Sequence, residues 1–178
     1  MKLSDFNLSN GAKGQESALE FQQKLNQTTT DYPRDRSVVD IFSEVANEYS
    51  ERIAALDNSD GFTYREIDEK SNQLAEWLRS NGIEPGDCVG VFMERSANVT
   101  WVLVGILKCG AVYVPLDAKM PEVRQRHILD ETQPKVLIST SGYLRESQRL
   151  LWFCDSVRYL FVADTDQLDS LTEDSVDM

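Results

Sequence analysis

The residues best suited to chemistry fall in one short run, Ile138-Ser139-Thr140-Ser141-Gly142-Tyr143, which looks like the start of a phosphate loop. A loop that cradles phosphate presents successive backbone amides, so it needs several glycines for close approach and usually a lysine for charge. This run has one glycine and no lysine. A turn after a strand is therefore the favoured reading. The single histidine, His127, stands between Arg126 and Ile128 with no partner histidine and no metal-ligand spacing to any cysteine, which predicts a helix-surface residue. Asp130 and Glu131 are adjacent in the same helical pattern and point in different directions, which argues against a paired-carboxylate site. Cys88, Cys109 and Cys154 lie far apart, within or beside apolar segments. An odd count without a CxxC pair fits reduced, buried thiols better than a disulfide framework or a zinc site. No GxSxG elbow, P-loop or dinucleotide fingerprint is present. Local chemistry offers no catalytic, substrate-binding or metal-binding residue.

Composition narrows the partners. The chain of 178 residues carries 30 acidic and 18 basic side chains, a net charge of -12. Phosphate backbones and anionic membranes attract clustered Lys and Arg, so neither is expected as the main partner. No apolar run approaches the ~20 residues of a membrane span, and the polar start MKLSDFNLSNGAKGQ does not read as a secretory signal. A cytoplasmic location is the default. The length suits one compact domain, which typically buries ~70% of its unfolded surface.

The elements that would position these residues alternate in kind. Met1 to about Gly14 reads as a flexible lead-in, and Glu16 to Leu25 as a short helix with Leu19, Phe21 and Leu25 free to dock. Val38, Ile41, Phe42 and Val45 form the stripe of an amphipathic helix ending near Tyr49. Ile53–Leu56 and Gly61–Tyr64 read as short strands joined through Asn58-Ser59-Asp60-Gly61. Thr63 and Glu66 have capping-box spacing and open a helix that Gly82 would cap. Cys88–Phe92, Ala111–Leu116, Val136–Ile138 and Tyr159–Val162 read as strands, with Pro115 expected to bar the second from continuing a regular ladder. Helices are expected from about Asn98 to Lys108, from Pro121 to about Thr132, and around Leu144 to Leu151. This alternation predicts an α/β fold, a parallel-rich sheet covered by helices in three layers. The stretch from Ala163 to Met178 holds six acidic residues and no basic one, and reads as an acidic loop or tail.

Several blocks resemble a known family. Tyr32-Pro33-Arg34-Asp35 followed by Phe42 is similar to the opening of an adenylation domain in nonribosomal peptide synthetases. Phe62-Thr63-Tyr64-Arg65-Glu66-Ile67 resembles that family's first core motif, and Gly82 to Val91 with Glu94-Arg95-Ser96 continues in register. Leu107-Lys108-Cys109-Gly110-Ala111-Val112-Tyr113-Val114-Pro115-Leu116-Asp117 resembles the second core motif, with Cys109 in place of the usual Ala. Pro121-Glu122-x-Arg124 matches the helix that follows. The Tyr-Pro-Arg-Asp and Tyr-Val-Pro-Leu-Asp blocks favour the peptide-synthetase branch over its relatives, the acyl-CoA ligases and luciferases. A flavodoxin-like module would share the alternation but leave these ordered blocks unexplained.

The resemblance implies the N-terminal part of the large subdomain of an adenylate-forming enzyme, laid out as residues 1–25 lead-in, 26–162 adenylation-like portion and 163–178 acidic tail. In the family, ATP and magnesium serve the complete enzyme; its phosphate loop, adenine and ribose motifs, amino-acid pocket and catalytic lysine map to no position here. None of those cofactors is therefore expected for this chain alone. Tyr32, Pro33, Thr63, Tyr64, Lys108, Gly110, Tyr113, Pro115 and Asp117 are carried over as scaffold, with an approach of the 107–117 block to the substrate or carrier-arm tunnel as the alternative. The expected function is a fragment of an ATP-dependent amino-acid ligase, inactive alone. The alternative is a truncated, noncatalytic domain that acts as a scaffold or docking partner. Apolar faces around Trp101, Val112 and Phe161 are expected to need cover from a second copy, a neighbouring synthetase domain, a carrier protein or another partner.

Overall fold

The computed structural model describes residues 19–58 and 61–164. The lead-in before residue 19, Ser59-Asp60 and the tail beyond Asp164 lie outside the described residues. The chain divides into two units, Met1–Arg36 and Ser37–Met178. In the first, residues 19–25 are helical, and Leu19, Phe21 and Leu25 are exposed. Tyr32 is also exposed there, with the Arg34 guanidinium over its ring.

The second unit opens with α1 (Val38–Glu48), the hairpin strands β1 (Ile53–Leu56) and β2 (Gly61–Thr63), and α2 (Tyr64–Ser80). Then come β3 (Cys88–Phe92), α3 (Asn98–Cys109), β4 (Val112–Leu116), α4 (Glu122–Thr132), β5 (Val136–Ser139), α5 (Leu144–Leu151) and β6 (Tyr159–Val162). β1 and β2 pair antiparallel, while the other four strands form one parallel sheet in the order β4-β3-β5-β6.

Strand alternation divides the core into two layers. Val89, Val91, Val136, Ile138 and Phe161 cluster with Ile67, Leu74 and Leu78 of α2 and Val102 and Ile106 of α3. The intervening Phe92, Leu137 and Leu160 cluster with Leu129 of α4 and Leu150 of α5. Helices therefore cover both faces, giving the expected three layers.

Caps set the helix starts. Thr63 Oγ1 accepts from the Glu66 amide, and the Glu66 carboxylate accepts from the Thr63 amide at 2.7 Å. Ser37 and Asp40 form the same reciprocal box at α1, through the same spacing. The two hydrogen bonds from Thr63 hold the Glu66 carboxyl below its ordinary pKa. A lowered carboxyl contributes stability above its unfolded pKa and loses it as pH falls through the folded value. Thr63→Ala is expected to cost about 1 kcal/mol in urea unfolding at neutral pH, with the gap from the parent chain narrowing in acid. Equal midpoints at neutral pH would contradict this.

The amino end of the sheet is clasped shut. Gly110, at φ 80°, ends α3 in the left-handed region, where a side chain would be strained and a Cβ would meet Pro85 at 3.1 Å. Gly86 donates its amide to the Gly110 carbonyl and Val112 donates to Asp87. The Asp87 carboxylate in turn accepts from Lys135 Nζ at 2.6 Å and from the Glu84 amide, and the lysine bond is the main reason its pKa is lowered.

Three expectations are corrected. Trp101 and Phe161 are buried within this chain, where the Phe161 ring lies 5.0 Å from Trp77 of α2 and 6.5 Å from Trp101 of α3. Of the faces expected to need cover, only Val112 is exposed. Val38 and Ile41, placed on the apolar stripe of α1, are exposed, whereas Phe42 packs on the core and Ala46 is buried. Pro115 does not interrupt the ladder, since β4 runs on to Leu116 opposite Phe92. β4 is an edge strand, where a missing N–H that faces outward costs no ladder bond.

Candidate functional site

In an open parallel sheet, ligands bind beyond the carboxyl ends of the strands where the chain reverses its direction of winding. Here β3 leads outward to β4, and the chain then crosses back to β5 and on to β6. The reversal lies between β3 and β5. The loops there are residues 93–97, after β3, and residues 140–143, after β5.

Polar contacts within the chain hold these loops. Ser139 is fully buried at the end of β5, and its hydroxyl donates to the Phe92 carbonyl at 2.9 Å. The hydroxyl of Ser147, also buried, lies 2.7 Å from the Ser139 hydroxyl and 2.8 Å from the Tyr143 carbonyl, which share its one proton as acceptors. Tyr143 crosses to the other loop: its hydroxyl donates to the Glu94 carboxylate at 2.7 Å and its ring meets Phe92 edge-on at 5.5 Å. The bond to Glu94, then burial and the nearby charges of Glu94, Glu146 and Asp117, raise the Tyr143 pKa.

The suspected phosphate run is a closed turn. Ser141–Tyr143 form a short 3-10 turn. The Ser141 amide and hydroxyl both donate to the Asp164 carboxylate, at 2.7 and 2.6 Å. At the start of α3 the Ala97 amide similarly donates to Asp57, at 2.6 Å. The donors of Ser141 and the Ala97 amide are thus already matched by carboxylates of the same chain.

The residues singled out from sequence separate into groups. Thr63 and Tyr64 start α2, where Tyr64 lies 6.2 Å from the Phe42 ring. Lys108 reaches the same junction, and its ammonium donates to Asp68 Oδ1 at 2.7 Å, the Asp68 carbonyl at 3.2 Å and Asn72 Oδ1 at 2.8 Å. Gly110, Tyr113, Pro115 and Asp117 follow one another along α3's end and the β4 edge. Tyr113 is half-buried, which raises its phenol pKa. The Asp117 carboxylate accepts from the Lys119 amide. Tyr32 and Pro33 belong to the first unit. His127 is exposed on α4, and Asp130 and Glu131 are exposed as well. Cys109 is buried with its thiol pKa pushed up by that burial, and all three thiols are free.

Residues that the spacing did not single out are Gln125, Asp57 and Asp164. Gln125 is buried and donates to the carbonyls of Asp117 and Met120, closing the turn into α4. Its polarity within an otherwise helical pattern carried no distinguishing signal. Among the described residues, no group of three or more His, Cys, Asp and Glu could hold a metal ion. No helix among them is long and apolar enough to cross a membrane.

Known proteins share this arrangement. The model of a family described as AMP-binding enzyme matches residues 42–175. Bacitracin synthase 3 of Bacillus licheniformis is 37% identical over 123 residues, which are 69% of this chain and 2% of that protein. The nonribosomal peptide synthetase FmoA3, solved with α-methyl-L-serine-AMP bound, superposes with a TM-score of 0.66 at 25% identity, over 79% of this chain and 16% of that one. The anthranilate CoA ligase AuaEII shares the fold, with a TM-score of 0.68 at 23% identity over 74% of this chain and 26% of that one. The chain spans a small fraction of each. With its core blocks in order along this α/β sheet, the chain belongs to the AMP-binding enzyme family, as an N-terminal portion of an adenylation domain of the nonribosomal peptide synthetase kind.

Proposed function

We propose that this chain supplies structural support for amino-acid adenylation and is not a catalyst by itself. The observation that carries this reading is the closed state of the strand ends, above all the Asp164 carboxylate on the Ser141 amide and hydroxyl. An ATP phosphate placed there would meet a carboxylate where it needs a donor. Nor is Lys108 a free phosphate ligand, because its ammonium is committed to Asp68 and Asn72 and its side chain is only 8% exposed. Among the described residues, neither the Ser141 turn nor Lys108 fits an ATP phosphate.

On this reading Thr63, Tyr64 and Lys108 fix the α1–α2–α3 junction, while Gly110, Tyr113, Pro115 and Asp117 fix the β4 edge. Tyr32 and Pro33 carry the resemblance at the entry to the domain. Residues 26–162 are the adenylation-like portion, and 1–25 and 163–178 flank it. The complete enzyme would use ATP and magnesium to activate an amino acid, with neighbouring synthetase domains or a carrier protein as partners. Three free thiols suit a reducing, cytoplasmic setting.

A graft tests this. Residues 42–162 replace the matching segment in the bacitracin synthase 3 adenylation domain that aligns with this chain. The chimera is expected to keep amino-acid-dependent pyrophosphate exchange and the selectivity of the recipient. A changed amino-acid preference would place selectivity in this segment and contradict the support role.

A further inference from the structure

On the layer opposite α2 and α3, Glu122 of α4 accepts from Arg126, four residues on, and from Arg149 of α5 at 3.0 Å. One carboxylate serves two guanidinium groups, leaving positive charge in excess. The Arg126 guanidinium carbon also sits 3.2 Å over the Phe153 ring centre, and its buried Nε has no hydrogen-bond partner. Next to this stack lies a shallow cavity of about 500 Å³ lined by Arg145, Gln148, Arg149, Trp152 and Phe153, with no acidic residue in its lining. Trp152 is 77% exposed and Phe153 44%.

We propose that this shelf is a docking site for an acidic segment of a separate partner protein, with a leucine or aromatic side chain against Trp152 and carboxylates at Arg145 and Arg149. Trp and Arg are the residue types that carry most binding energy in interfaces. Of these, Arg149 is already held by Glu122, which lowers the cost of fixing it on binding. Charge selects the occupant. The cationic, aromatic lining, free of acidic side chains, complements an acidic peptide.

The test titrates the full 178-residue chain into a fluorescein-labelled synthetic peptide of alternating aspartate and leucine, read by anisotropy. Saturable binding is expected, weakened about tenfold by Trp152→Ala or Arg145→Glu and lost with an asparagine-for-aspartate peptide. Both substituted side chains belong to exposed residues, and an unchanged circular dichroism spectrum confirms that the fold persists. Four results would overturn the proposal: no saturable binding, equal binding by the variants, tighter binding of an oligothymidine, or a concentration-dependent dimer abolished by Trp152→Ala.

Discussion

Lys108→Ala is expected to lower stability by about 3 kcal/mol, near the lower bound for breaking a buried ion pair. The ammonium satisfies Asp68 twice and Asn72 once, and lies 5.7 Å from the Phe42 ring. It therefore joins α1, α2 and α3 at one point. Removing it strands a carboxylate that keeps only 32% of its side-chain exposure. The residual exposure of Asp68 sets the limit, since water can enter and recover part of the loss. A double-mutant cycle with Asp68→Asn separates the pair from packing. The Asp68→Asn change is expected to cost much less in the Lys108→Met background than in the parent. Additive losses in urea unfolding would show that the pair contributes nothing of its own.

Gly105→Val is expected to cost a comparable amount, about 3 kcal/mol, at the upper end of ordinary overpacking. Gly105 is buried in α3 where the helix meets α2. A Cβ there would lie 2.8 Å from Leu74 Cδ2 and 3.0 Å from Leu74 Cβ. The Cδ2 contact could rotate away, but Leu74 is 1% exposed and its Cβ is fixed to the helix backbone. Even Gly105→Ala sets a helix-propensity gain of about 1 kcal/mol against that contact. The second site identifies the cause: adding Leu74→Ala should relieve the Gly105→Val change, so the double variant loses less than the sum of the singles. A sum that simply adds would mean the helices are not in close approach at this position.

Much of this architecture was legible from local patterns, because local physics sets it. The Thr63 box follows from residue types three apart, and the strand from Cys88 to Phe92 and the helix from Leu144 to Leu151 from apolar spacing. The family blocks were legible by resemblance alone. What escaped the sequence depends on contacts distant along the chain. Asp164 reaches Ser141 from 23 residues away, and Asp57 reaches Ala97 from 40. Nothing in the spacing of either carboxylate distinguishes it from a solvated side chain. Trp77 of α2 meets Tyr159 and Phe161 of β6, a contact across some eighty residues that no local spacing announces. The stripe on α1 failed in the other direction: its periodicity is helical, yet Val38 and Ile41 at its outer side meet solvent.

The proposed role, support for adenylation without its performance, draws on the pairing of Asp164 with the Ser141 turn and of Asp68 with Lys108. Amino-acid-dependent exchange of labelled pyrophosphate into ATP, measured on the 178-residue chain alone with each standard amino acid, tests it directly. Exchange no higher than in the absence of protein is expected. Exchange above that background with any amino acid, carried by the folded chain and lost on its denaturation, would contradict it.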